Sequence, residues 1–175
     1  MLKEKTKKNL EEAFAGESMA RNKYDYFSSV ARKAGYVQIA NIFAETALNE
    51  KEHAKVWAKQ LELIGDVEKN LKTAIEGETY ENLEMYPRME KEALEEGQLE
   101  IAKLFKEIGE VESRHAIRYK KLLANIEKGE VFKKPEVKLW KCANCGYIHE
   151  GTDAPAVCPA CAHLQAHFEV FVENY

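Results

Sequence analysis

An all-α four-helix bundle followed by a small metal-binding β domain is the fold class this 175-residue sequence predicts. Three observations predict it. Apolar residues recur at seven-residue steps in successive stretches between residues 5 and 128, with glycines punctuating them. All four cysteines lie between Cys142 and Cys161, behind 141 residues that contain none. Glutamates and histidines stand in the rows that such a bundle would bury, where a carboxylate costs several kcal/mol, of order 3–5 or more, unless something positive compensates it. A metal ion is such a compensation.

The first helix is expected over residues 5 to 34. Leu10, Glu17, Tyr24 and Ala31 recur at sevens beside Ala13, Ala20, Phe27 and Ala34, and Gly35 ends the run. Glu17 sits within the stripe between Phe14 and Tyr24. Alone, a glutamate there also fits a residue edging toward solvent, and Tyr24 one heptad on fits either a core tyrosine or a neighbour of the ligands.

The second helix, 37 to 64, stops at Gly65-Asp66 and carries Glu50-Lys51-Glu52-His53. Side chains three apart lie one above the other on a helix, so Glu50 and His53 share a face. Phe43, Glu50, Trp57 and Ile64 form one row, and Ile39, Thr46, His53 and Gln60 the next, with Lys51, Glu52, Lys55 and Lys59 on the other faces. A lone core histidine needs no metal. The same Glu-x-x-His returns as Glu112-Ser113-Arg114-His115, which is hard to assign to packing.

A third helical stretch spans 67 to 96, with Gly77 and an interior Pro87 that lacks an N–H and presses on the carbonyl of Leu83, predicting a kink. Glu81 and Glu84 precede it at i and i+3. Most carboxylates of this acidic helix, among them Glu76, Glu78, Glu90, Glu92, Glu95 and Glu96, read as a solvated face. The fourth helix, 98 to 128, places Phe105, Glu112, Tyr119 and Ile126 beside Ile101, Ile108, His115 and Leu122. An inward Glu on two helices and Glu-x-x-His on two others is the di-iron carboxylate pattern. A weak internal repeat points the same way, two hairpins each setting a Glu about thirty residues before a Glu-x-x-His.

Residues 129 to 139, with Pro135, read as a connection. The expected domains are 1–130, a linker 131–137, and 138–175. In the last, Cys142-x-x-Cys145 and Cys158-x-x-Cys161 flank twelve residues, a strong signal for a tetrahedral four-thiolate site. Zinc and iron both suit it. The gap is shorter than the 15 to 20 residues of zinc ribbons, and Trp140, Tyr147, Pro155 and Phe168 offer an aromatic shell for a redox centre, so iron fits better.

Net charge of -4 with 45% apolar and 32% charged residues gives no electrostatic case for nucleic acid or membrane. Met1-Leu2-Lys3-Glu4-Lys5 has no apolar segment behind it, so a cytoplasmic location is expected, where CxxC pairs bind metal rather than form disulfides.

Trp140-x-Cys142-x-x-Cys145-Gly146-Tyr147, Gly151, Ala154-Pro155, Cys158-Pro159-x-Cys161 and Phe168-Glu169 resemble a rubredoxin-like iron module. Phe14-Ala15-Gly16-Glu17-Ser18-x-Ala20-Arg21 and Phe43-Ala44-Glu45-Thr46-Ala47-x-x-Glu50-x-Glu52-His53-Ala54 resemble the ferritin-like half of the rubrerythrin family, domain order included. The resemblance implies a non-sulfur di-iron centre ligated by Glu17, Glu50, Glu81, Glu84, Glu112, His53 and His115. Glu50 and Glu112 bridge, Glu17 binds one iron, Glu81 and His115 the other, and Glu84 and His53 alternate on the first iron with oxidation state. A third iron would sit on Cys142, Cys145, Cys158 and Cys161. One departure is Ala162, where many such modules have Gly after the second CxxC.

The function so implied is a peroxidase that reduces hydrogen peroxide to water in defence against oxidative stress. Its electrons would come from a rubredoxin or an NAD(P)H-linked reductase through the four-cysteine iron. A homodimer or higher homo-oligomer, with head-to-tail chains and possible exchange of helices, would bring the four-cysteine iron of one chain to the bundle of another. The alternative is a ferroxidase or iron-storing protein of the ferritin-like class, which has no need of the four cysteines.

Overall fold

Capping chemistry sets where the helices end. In the computed structural model, which describes residues 2–174, helix α1 (Glu4–Lys33), helix α4 (Tyr86–Glu95) and helix α5 (Leu99–Glu127) run into glycines of positive φ. These are Gly35, Gly97 and Gly129, and each end closes with a six-to-one bond: Tyr36 N–H to Ala31 O, Gln98 N–H to Ala93 O, and Glu130 N–H to Asn125 O. Helix α2 (Val37–Gln60) ends in the same way, but with Glu62 at φ 55° and Leu63 N–H bonded to Ala58 O. It therefore stops short of the expected boundary at Ile64, because a left-handed Glu62 completes the cap before Gly65 is reached.

The stretch expected as one kinked helix over 67–96 is helix α3 (Val67–Tyr80), a π-helical turn (Glu81–Met85) and α4. Pro87 has no N–H to offer the Leu83 carbonyl and its ring needs room there. The ladder widens just before it, where the Tyr86 N–H reaches back five residues to Glu81 O.

By its contacts the chain forms two compact units, Met1–Asp66 and Val67–Tyr175. The first is the α1/α2 hairpin, packed along Ala40, Ala47, Ala54 and Ala58 of α2 and tied by Ser28 Oγ–H to Ala40 O at 2.8 Å. In the second, α3, the π turn and α4 pack on α5 through Ala93, Ala102, Gly109 and Ala116. The deeply buried rows are thus small residues, which let helix axes approach closely. Larger residues expected to be buried are exposed within each unit: Ile39 on α2, Ile64 just beyond its end, and Ile101, Ile108 and Leu122 on α5. A hairpin of two helices has a single mutual seam, and alanines occupy it.

The second unit also holds the β module. Strand β1 (Lys133–Cys142) takes up most of 131–137, joined to strand β2 (Ile148–Asp153) through Lys133 opposite Asp153 and through Ala154 N–H to Phe132 O at 2.8 Å. Pro135 is tolerated because the register shifts between Lys133 and Lys138. Strand β3 (Phe168–Val170) pairs on the other side of β1, giving the antiparallel order β2-β1-β3. Trp140, Cys142, Ala154, Cys158 and Phe168 form its core, and the Trp140 indole N–H donates to Gly151 O at 3.0 Å. Among the described residues no helix is long and apolar enough to cross a membrane.

Candidate metal centres

In the first unit Glu17 of α1 meets Glu50 and His53 of α2, with one donor atom from each within 4.8 Å of the others. His53 Nδ1 lies 2.9 Å from Glu50 Oε2, the i, i+3 neighbour expected on that face. Two carboxylates in contact cannot both stay ionised without a cation. The hydrogen bond with Glu50, then burial and the Glu50 charge, push Glu17 up from the ordinary carboxylate range. The hydrogen bonds from Glu17 and His53 hold Glu50 down. Half-buried Tyr24 packs on Phe43 at 6.0 Å between ring centroids.

The second unit repeats this site. His115 Nδ1 lies 2.7 Å from Glu112 Oε2 and 3.3 Å from Glu78 Oε2, and these three form the matching group. Burial, then the hydrogen bond with Glu112 and its charge, raise Glu78. The third member of this group, Glu78, is one of the carboxylates expected on the solvated face. Glu81 is half-buried one turn further on, close enough that its charge and that of Glu112, with burial first, push the Tyr86 phenol up. Glu84 is exposed and outside both groups.

A signal for Glu78 was present in the sequence. Gly16-Glu17-Ser18 returns as Gly77-Glu78-Thr79 sixty-one residues later, while Gly35, Phe43, Glu50 and His53 return as Gly97, Phe105, Glu112 and His115 at sixty-two. The offset changes within the helix. Tyr24 follows Glu17 by seven residues and Tyr86 follows Glu78 by eight, and the added residue falls where the π turn lies. Packing repeats as well: Tyr86 meets Phe105 at 6.1 Å and 36°, against 6.0 Å and 34° for Tyr24 and Phe43.

The third group is Cys142, Cys145, Cys158 and Cys161. Cys142 Sγ lies 3.7 Å from Cys161 Sγ, and Cys145 Sγ 3.7 Å from Cys158 Sγ. Disulfides would need about 2.0 Å. The edge of a tetrahedron with metal–sulfur bonds of about 2.3 Å is about 3.8 Å, so the spacing suits four thiolates around one ion. Without an ion the four thiols cannot ionise together. The His163 backbone N–H lowers Cys161 to about 6 against burial, with help from Cys145, Asn144 and Cys158. The Tyr147 backbone N–H favours the Cys145 thiolate, but hydrogen bonds to Cys161, Cys158 and Cys142 together with burial push Cys145 up to about 12.

Comparison with known proteins agrees with this layout. The rubrerythrin family model matches residues 8–123, and the model described as the rubredoxin-like domain of rubrerythrin matches residues 140–169. The chain belongs to the rubrerythrin family. A rubrerythrin of Clostridium perfringens is 53% identical over 98% of this chain and 96% of its own. A rubrerythrin of Nitratidesulfovibrio vulgaris is 47% identical, with the same coverages of 98% and 96%. A structure of nigerythrin in a partially reduced state is 31% identical over 94% of this chain and 86% of that chain, with a TM-score of 0.36.

The donor sets fit the irons of the rubrerythrin family. Each triad pairs two carboxylates with one imidazole, oxygen and nitrogen donors suited to iron, and the proton shared by its carboxylates marks where a cation would be welcome. The four sulfurs suit a single iron of the rubredoxin-like kind. The family thus makes this chain an iron-dependent oxidoreductase with a ferritin-like di-iron site and a four-cysteine site. Ala162, the departure in the second CxxC turn, does adopt a positive φ of 58°, a conformation that costs a residue with Cβ about 1–2 kcal/mol.

Proposed function

We propose that this protein is a cytoplasmic peroxidase that reduces hydrogen peroxide to water, H2O2 + 2e− + 2H+ → 2H2O, with electrons from a rubredoxin or an NAD(P)H-linked reductase, and that it acts as a homo-oligomer. The observation that supports it is the presence in one chain of two carboxylate–imidazole triads and a four-thiolate site, a pairing that iron storage does not call for. When bound, the paired irons supply the two electrons that O–O cleavage takes, and the four-cysteine iron supplies single-electron relay.

The chain's own groups have definable roles. Glu17, Glu50 and His53, with Glu78, Glu112 and His115, are the proposed di-iron ligands, and half-buried Glu81, one turn from Glu78, is proposed as a further one. The short His53–Glu50 and His115–Glu112 contacts orient each imidazole so that Nδ1 faces the carboxylates. Tyr86, held protonated by burial and by Glu112 and Glu81, keeps a neutral Oη–H beside the second triad, where it can hand a proton to a departing oxygen. Backbone N–H groups of Tyr147 and His163 hold the Cys145 and Cys161 sulfurs in place.

The test is peroxide consumption by the anaerobically reduced, iron-loaded chain. Glu50→Ala and Glu112→Ala are each expected to lose turnover while keeping the thiolate-to-iron absorption of the four-cysteine site. Full turnover in either variant would sink the assignment of the site.

A further inference from the structure

The four-cysteine site is one turn used twice. In residues 142–147 the Cys142 N–H donates to Tyr147 O at 2.8 Å and the Gly146 N–H to Cys142 O at 2.8 Å. In 158–163 the Cys158 N–H donates to His163 O at 2.8 Å and the Ala162 N–H to Cys158 O at 2.9 Å. The residue after the second cysteine has positive φ in both, 79° at Gly146 and 58° at Ala162. Bond for bond the turns agree. They differ in that one pivot lacks a Cβ, and the other carries one in a conformation that glycine adopts freely and alanine does not.

Among the described residues Glu62 and Ala162 are the non-glycine positions with positive φ. Glu62 closes a helix. Ala162 stands beside a metal ligand, where an observed backbone outlier is a pointer to function. The sulfur residues differ in parallel: Cys145, next to Gly146, is exposed, and Cys161, next to Ala162, is half-buried.

That difference bears on redox chemistry. Four thiolates around iron carry net charge −1 in the ferric state and −2 in the ferrous state, and reduction adds one electron from the donor with no bond made or broken at sulfur. Water stabilises the more highly charged state more strongly, so excluding it from a sulfur favours the ferric state. We propose that Ala162 is a positioning residue for the four-cysteine iron: its methyl group, carried on a left-handed backbone beside Cys161, keeps water from that sulfur and lowers the reduction potential of the site. The inference rests on iron at the four cysteines and not on peroxide reduction, so either can fail without the other.

The experiment compares full-length, iron-loaded wild type with Ala162→Gly, Gly146→Ala and Glu62→Gly. Iron content is measured first. The midpoint potential is then found by titration with dithionite and mediators, following the thiolate-to-iron bands, and thermal unfolding is recorded alongside. A Cβ added at Gly146 meets no atom within 4 Å, so that variant adds a methyl to the other turn without a clash. Ala162→Gly is expected to unfold at higher temperature and to shift the equilibrium about threefold toward ferrous, about 30 mV upward at about 59 mV per tenfold for one electron. Gly146→Ala is expected to move the potential downward. Glu62→Gly relieves strain far along the chain and leaves the potential in place. A potential that is unmoved or lowered in Ala162→Gly overturns the proposal whatever happens to stability, and so does a potential raised by Gly146→Ala.

Discussion

Glu78→Gln and Glu84→Gln change chemically equal groups six residues apart, and the structure expects opposite results for iron binding. Glu78 Oε2 lies 3.3 Å from His115 Nδ1 in a group whose donor atoms all fall within 4.8 Å of one another. A cation held among such donors lies within about 4 Å of the carboxylate, where two unit charges are worth about 4 kcal/mol at an effective dielectric constant of about 20. The second charge of a ferrous ion roughly doubles that, and desolvation of the half-buried carboxylate takes back about as much again. The remainder, about 4 kcal/mol, is a loss of about a thousandfold in affinity at 1.4 kcal/mol per decade. Glu84 is exposed and its charge is screened, so removing it changes affinity by less than about threefold. The assay is anaerobic ferrous titration, against a competing chelator, of protein emptied of its carboxylate-bound iron but keeping the four-cysteine iron in the ferric state, whose bands are the internal standard for folded protein. Equal weakening by the two variants, or undiminished binding in Glu78→Gln, would refute the placement of Glu78 in the site.

Three other outcomes are expected. In iron-free protein Glu78 titrates above the usual carboxylate value, so the folded state keeps a proton that the unfolded chain releases; its contribution is full below the unfolded pKa and is lost as pH rises through the raised one. Thermal midpoints of iron-free wild type are therefore expected to fall with pH across that window relative to Glu78→Gln, and parallel profiles would contradict the shift. Gly109→Ala sets a Cβ 3.1 Å from the Tyr86 Cβ, so despite gaining about 1 kcal/mol of helix propensity it is expected to destabilise by a net 1 kcal/mol or so, read from denaturant midpoints. Cys161→Ala and Glu50→Ala chains, each inactive alone, are expected to recover peroxide turnover as purified mixed dimers if electrons cross between subunits; mixed dimers as inactive as their parents would rule that out.

Local features of the site were legible in the sequence because they depend on spacing alone. Glu50 with His53 and Glu112 with His115 must share a face on any helix, and two CxxC pairs of the right separation make a four-sulfur site in any compact fold. The positive φ of Ala162, 58°, is likewise a local demand of the CxxC turn, at a position where many such modules have Gly. Glu78 was missed for a reason that is also local. Spacing singled out no pair on so acidic a helix and the family resemblance supplied Glu81 and Glu84, whereas the internal repeat, Gly16-Glu17-Ser18 against Gly77-Glu78-Thr79, selects Glu78 once one added residue is allowed for.

Which apolar row is buried deepest was not legible from periodicity. Heptad counting finds every row at the right angle but not the distance between helix axes. Ala40, Ala47 and Ala54 on α2, and Ala102, Gly109 and Ala116 on α5, took the seam because small side chains permit the closest approach, leaving bulkier neighbours outside it. The β module shows the same limit: strand β1 begins at Lys133, inside a stretch that Pro135 made look like linker, because Asp153 and Ala154 are there to pair with it.

By itself, then, the sequence determined the helices, the two Glu-x-x-His pairs and the four thiolates, since each follows from backbone geometry within a few turns or from ligand chemistry. Only the tertiary structure decided that Glu78, in place of the Glu81 expected beside His115, completes the second triad, that a π turn absorbs the added residue before Pro87, and that the sulfurs stand 3.7 Å apart in pairs. Those outcomes depend on which side chains meet across helices and turns, and contacts between residues distant in the chain are set by packing and charge rather than by spacing.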